Sequence, residues 1–138
     1  MIEKFNGIFY LIVFLVHFII FAVYAYQTVF ATKTFLDKFG IDDTGAGMTR
    51  FFGSLFIGAV AMAIWVGFIR ADGLQGTWAF FNLVFLQNVS AFCVGIYTIK
   101  INKLGHTPQT SNEGIIAPGI LTLLSAILCF GLADKIYY

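Results

Sequence analysis

The sequence predicts an all-α protein: four membrane-spanning helices in an antiparallel, up-down bundle. Three observations carry that reading. Of 138 residues, 59% are hydrophobic and only 11% charged, against roughly 25% charged in a soluble domain. The apolar residues fall in four runs without a Lys, Arg, Asp or Glu, each long enough for a helix to cross a bilayer. The short joining segments and the two ends hold every charged side chain. The runs are continuous rather than alternating, which excludes barrel strands. So little charge cannot cover a water-soluble enzyme, and the net charge of +1 with no basic cluster excludes nucleic acid as a partner. The whole of 1–138 reads as one membrane domain.

The first span is expected over 7–30. Lys4 ahead of an apolar stretch and Val23-Tyr24-Ala25 resemble a signal peptide and its cleavage site. The run exceeds an ordinary signal core, however, and is read as a span. Thr32 to Phe39 follows as a short interfacial helix: Lys33 and Asp37 are four apart, and Gly40 supplies its stop. Thr44 or Thr49 is expected to cap the second span, 51–69, which Arg50 and Arg70 bound. A tight turn with Gly73 and Gly76 leads to the third span, 78–99. A polar loop with Gly105 and Pro108 precedes the fourth, 115–132. Ser111 or Asn112 is the expected cap there, with Pro118 in the first turn, where its missing N–H costs little.

Four spans leave both termini on one side. Lys4, Arg70 and Lys135 lie there; Lys33, Lys38, Arg50, Lys100 and Lys103 lie on the other. The positive-inside rule then puts the first and third loops in the cytoplasm and the termini outside, in a bacterial inner membrane. Trp65, Trp78 and Tyr137-Tyr138 form the aromatic belt of the termini side; Tyr24, Tyr26 and Tyr97 belong to the other. Ala59, Ala63 and Gly67 on the second span, and Ala91 and Gly95 on the third, make small-residue faces suited to close helix packing, within the chain or in a homo- or hetero-oligomer. Cys93 and Cys129 differ in depth by roughly 10 Å, beyond disulfide reach, so two free thiols are expected.

The chemical lead is a polar layer inside the bilayer. His17 is the one ionisable side chain deep within a run, about 14 Å in from Ile8. Gln87, Asn88 and Ser125 lie at similar depth on the third and fourth spans, and Tyr10 and Tyr24 share the His17 helix face. A buried ionisable group in a membrane is expensive and so marks either a functional site or a hydrogen-bonded register pin. His17 is expected neutral and facing the interior, because no span carries a carboxylate to offset a charge. Haem or chlorophyll ligation through His17 is a further reading, with Met62 as the available second ligand, since His106 falls in a loop. No hydrolytic, nucleotide-binding or metal-ligand motif is present.

A first span, an amphipathic stretch ending Phe39-Gly40-Ile41, and Met48-Thr49-Arg50-Phe51-Phe52-Gly53-Ser54-Leu55-Phe56-Ile57-Gly58 opening a second span resemble the DoxX-like membrane proteins. Arg50, Gly53 and Gly58 carry the likeness. It implies a small four-helix membrane fold and brings no active-site motif; some members of that group are linked to redox complexes. The function expected is that of a non-enzymatic small subunit of a larger membrane complex, or a self-assembling bundle. The alternative is a membrane-embedded binder of a lipid, quinone or pigment at the His17 layer. A proton-coupled carrier or channel ranks third, because the chain lacks a midplane carboxylate and a pair of broken helices.

Overall fold

The computed structural model describes Met1 to Tyr138. Six α-helices account for about two-thirds of it: α1 Ile8–Val29, α2 Thr32–Phe39, α3 Ala46–Ile64, α4 Trp78–Ile96, α5 Glu113–Gly131 and α6 Ala133–Ile136. There are no strands. Four helical stretches, Ile8–Val29, Asp43–Ile69, Trp78–Ile101 and Glu113–Gly131, are long and apolar enough to cross a membrane.

The first span starts and stops within a residue of its sequence limits, because Asn6 and Gly7 both take positive φ just before it. The second departs further. Asp42 accepts a hydrogen bond from the Thr44 N–H at 2.9 Å and starts a 3-10 turn, Asp43–Gly45, that runs directly into α3. Neither Thr44 nor Thr49 caps this helix; Gly45 stands at its N-cap, and Arg50 is inside it. Arg50 keeps its charge at the surface and donates from Nε to Thr32 Oγ1 at 3.2 Å, fastening α2 to α3. The second and third spans each finish in a five-residue π-wound turn, Trp65–Ile69 and Tyr97–Ile101. The fourth begins at Glu113, whose N–H bonds the Ser111 hydroxyl at 3.1 Å. Pro118 is therefore its sixth residue, not part of the first turn, and the Gly114 carbonyl loses its usual donor four residues on.

Contacts between helix ends set the packing. At one end of α1, Phe14 lies against Gly67 of the α3 terminus; at the other, Thr28 lies against Gly53 at the α3 start. Tyr10 packs on Gly131 and Tyr24 on Glu113, so α5 also runs antiparallel to α1. Gly95 near the end of α4 meets Gly114 at the start of α5, and the Cys129 thiol reaches the Phe81 carbonyl at 3.4 Å. A Cβ on Gly95 would run into the Gly114 carbonyl oxygen. The carbonyl that Pro118 deprives of a donor thus points at a glycine Cα–H, a weak but satisfying contact.

α1 is the central helix: 39% of its span is buried, against 22% of each of the others. α3 packs on α1 and α2, and α4 on α5, leaving α3 apart from the α4–α5 pair. Ala63 and Gly67 are buried and Ala59 half-buried on the side of α3 that faces α1. Ala91 is exposed; the close approach on α4 is made one turn later, by Gly95. Both cysteines are free, Cys129 within the bundle and Cys93 on its outer face.

Candidate functional site

His17 is fully buried, and its Nε2 lies 2.9 Å from Asn88 Nδ2. That amide nitrogen also faces the Leu121 carbonyl oxygen at 3.2 Å and Ser125 Oγ at 3.1 Å. The carbonyl fixes the amide orientation, since only the N–H side can face it. His17 Nε2 must then accept rather than donate, which makes the ring neutral with its proton on Nδ1. An imidazolium would set an N–H against an N–H. His17 Nδ1 has no hydrogen-bond partner and is enclosed by Phe18 and Phe21, whose ring centroids lie 4.6 and 4.7 Å from the imidazole.

Three of the layer's residues therefore meet: His17, Asn88 and Ser125. Gln87 does not join them. It is exposed on the outer face of α4, since one residue turns the helix by about 100° away from Asn88. Tyr10 and Tyr24 share the His17 face but sit about 10 Å to either side along the helix. Tyr10 packs at the termini end, and the Tyr24 hydroxyl donates to Glu113 Oε1 at the other. With Nε2 occupied and the ring sealed, His17 presents no open position to a haem or chlorophyll metal. Met62 is 42% exposed on α3 and cannot complete such a site.

On one side of this layer the interior is filled; on the other it opens into a cavity of about 570 Å³. The cavity occupies the gap between α3 and the α4–α5 pair, with α1 behind it and α2 across its end. Phe35, Phe39, Phe52, Phe56 and Tyr24 supply aromatic walls. Gly45, Ala91, Gly114 and Ala117 leave the space those walls enclose. From Glu113 at the mouth to Leu121 at the deep end is about 12 Å along α5. Asn88 lies at that deep end and is 4% exposed.

Charge gathers at the mouth. Lys38 Nζ pairs with Glu113 Oε2 at 2.7 Å, each side chain about one-third exposed, while Tyr24 binds the other carboxylate oxygen. The Thr110 hydroxyl donates to the Phe39 carbonyl at 3.1 Å and ties the third loop to α2. Gly40 ends α2 at φ 65 with Thr107 directly against it, so a side chain there meets both strain and a clash. Farther out, Lys33 bridges Asp37 at 2.8 Å and Asp43 at 2.9 Å. The hydrogen bond to Asp37, then that to Asp43, holds the ammonium above its ordinary pKa. The Asp42 carboxyl is held below its ordinary value, first by the Thr44 N–H.

The cavity was not legible from the sequence, because it forms where elements fail to meet rather than where a motif stands. One signal was present: the small residues Gly114 and Ala117 precede Pro118 on the face of α5 opposite Phe52 and Phe56 of α3. Comparison with protein-family models, curated proteins and solved structures gave no match.

Proposed function

We propose that this chain is a membrane-embedded binder of an amphiphile, held in the cavity between α3 and the α4–α5 pair. The observation that carries this reading is the cavity itself: about 570 Å³ at membrane depth, the size of a small-molecule site. Its walls are aromatic and apolar along their length, and its polar groups gather at the two ends. An amphiphile there buries its apolar body against Phe35, Phe39, Phe52 and Phe56. The polar groups available to its head are Tyr24 and Glu113 at the mouth, beside Lys38, and Asn88 at the floor. Asn88 and Leu121 form the floor, and the hydrogen bonds of Asn88 to His17 and Ser125 behind it hold α1, α4 and α5 in register. Ala117→Phe places a ring in the space and is expected to weaken binding of a fluorescent fatty acid at least about tenfold, about 1.4 kcal/mol. Unchanged binding by that variant would contradict the reading.

A second reading, a subunit of a larger membrane complex, is favoured by the outer flank of α3. Ser54 is exposed there, and a Cβ on Gly58 meets nothing within 4 Å, so a neighbouring helix has room to approach closely. Sizing of the chain in mild detergent tests it: a larger particle supports it, and a monomer at every detergent ratio contradicts it.

A further inference from the structure

We infer that the deep end of the cavity recognises a hydrogen-bond donor. The cavity therefore selects a ring-bearing amphiphile with a free hydroxyl over its ether or its hydrocarbon. This rests on the cavity-binding reading and assigns the chemistry of its ligand.

Asn88 carries the argument. It is the polar side chain at the floor of the cavity and is 4% exposed. Its Nδ2 is committed to the protein, with acceptors at 2.9 Å on His17, 3.1 Å on Ser125 and 3.2 Å on Leu121. Turning the amide over would set Oδ1 against the Leu121 carbonyl oxygen, a repulsive contact in place of an attractive one. Asn88 thus keeps its Oδ1 for the cavity, and that oxygen has no hydrogen-bond partner in the chain. An amide oxygen only accepts. An acceptor without a protein partner at the apolar floor is one that a ligand hydroxyl can match.

The walls specify what carries the hydroxyl. Phe56 lies nearly parallel to Tyr24, with centroids 5.9 Å apart at 29°, and edge-on to Phe21 at 5.1 Å. Phe52 adds a further ring. Rings in offset and edge arrangements favour another ring. The separation of α3 from α4 and α5 lets an alkyl tail leave sideways toward lipid. A phenolic ring entering hydroxyl-first satisfies Asn88 and uses these walls together.

The test compares three ligands on the full-length chain in detergent: para-nonylphenol, its methyl ether para-nonylanisole, and nonylbenzene. The ether keeps an acceptor and loses the donor; nonylbenzene is smaller than both and separates loss of the donor from a steric effect. Equilibrium binding is expected to rank the phenol about tenfold above the other two, and Ala117→Phe is expected to abolish binding of all three. Equal affinities, or a preference for the ether, with Ala117→Phe still abolishing binding, overturn the donor assignment and leave the cavity reading intact. Binding that Ala117→Phe does not change, or no binding of any of the three, overturns both.

Discussion

The two halves of this molecule, divided by the His17 layer, are built in opposite ways. A cluster of sixteen buried apolar residues lies mostly on the termini side, with Phe5, Phe14, Val66, Leu74, Leu128, Leu132 and Ile136 among them, and reaches past the layer at Phe21 and Leu121. Phe14 alone meets the rings of Phe5 and Phe18, each at 4.8 Å, and of Phe81 at 6.3 Å. The chain ends close this half: the Gly76 N–H donates to the Tyr138 carbonyl at 2.8 Å, and Tyr137 stacks on Trp78. On the other side, large rings line space instead of filling it. Phe52 is 56% exposed, and the buried residues there are mainly small or polar: Ala25, Thr28, Thr32, Gly53 and Gly95. Bundle stability and cavity are thus separated in space, so one half can hold a ligand without loosening the other.

The sharpest way to break the contrast is to remove a ring from each half. Phe14→Ala is expected to destabilise the bundle by about 3–5 kcal/mol, because it leaves a cavity in a packed core. Phe52→Ala should cost less than about 0.5 kcal/mol, as surface changes usually do. Unfolding by mixed-detergent titration measures both, and similar costs would dissolve the distinction. Close helix approach gives the next effect. Gly95→Leu drives a side chain into the Gly114 backbone and should cost about 1–3 kcal/mol. Gly58→Leu, pointing into open space, should be neutral or stabilising, since glycine is the weaker helix former.

The dividing layer comes third. His17→Phe keeps the volume roughly and removes one of the three acceptors around Asn88 Nδ2, for an expected loss of about 0.5–1 kcal/mol, since the Leu121 carbonyl and the Ser125 hydroxyl still receive its two N–H groups. His17→Gln, which retains an acceptor, should be milder. A His17→Phe variant as stable as the parent would show that the layer does not hold the halves in register.

The smallest effect is a titration at the edge of the open half. Asp42 has its folded pKa below the ordinary value because its carboxylate accepts the Thr44 N–H. Its contribution to the Asp43–Gly45 turn is therefore full above the unfolded carboxylate pKa. It is lost as pH falls through the lower folded value. Protection of the Thr44 amide should fall only under such acidic conditions, and Asp42→Ala should remove it at neutral pH while making no difference below that range.

How much of this was legible in the sequence differs between the halves as well. Charge-free runs locate spans because the bilayer demands continuous apolar helix, and Gly40 marks the end of α2 because only a residue at ease with positive φ ends a helix that way. The depth of His17, Asn88 and Ser125 follows from rise per residue alone. Rotation about the helix does not: Gln87 and Asn88 are neighbours at one depth, and only packing decides which faces inward. The true start of α3 was hidden because Asp42 caps a 3-10 turn rather than the helix itself. The cavity was hidden because it depends on α3 standing apart from α4 and α5, a property of the assembled helices rather than of any segment.

The most direct test of the account is photolabelling of the full-length chain with a diazirine-bearing alkylphenol, mapped by mass spectrometry. Two concavities compete for the probe: the large cavity, and a groove of about 200 Å³ on the termini side between α1 and α3, lined by Leu15, Ile19, Ile64 and Phe68. Label is expected on Phe52, Phe56 and Ala117, displaced by excess unlabelled para-nonylphenol. Label concentrated on Leu15, Ile64 and Phe68, or spread over the outer surface without displacement, would contradict it.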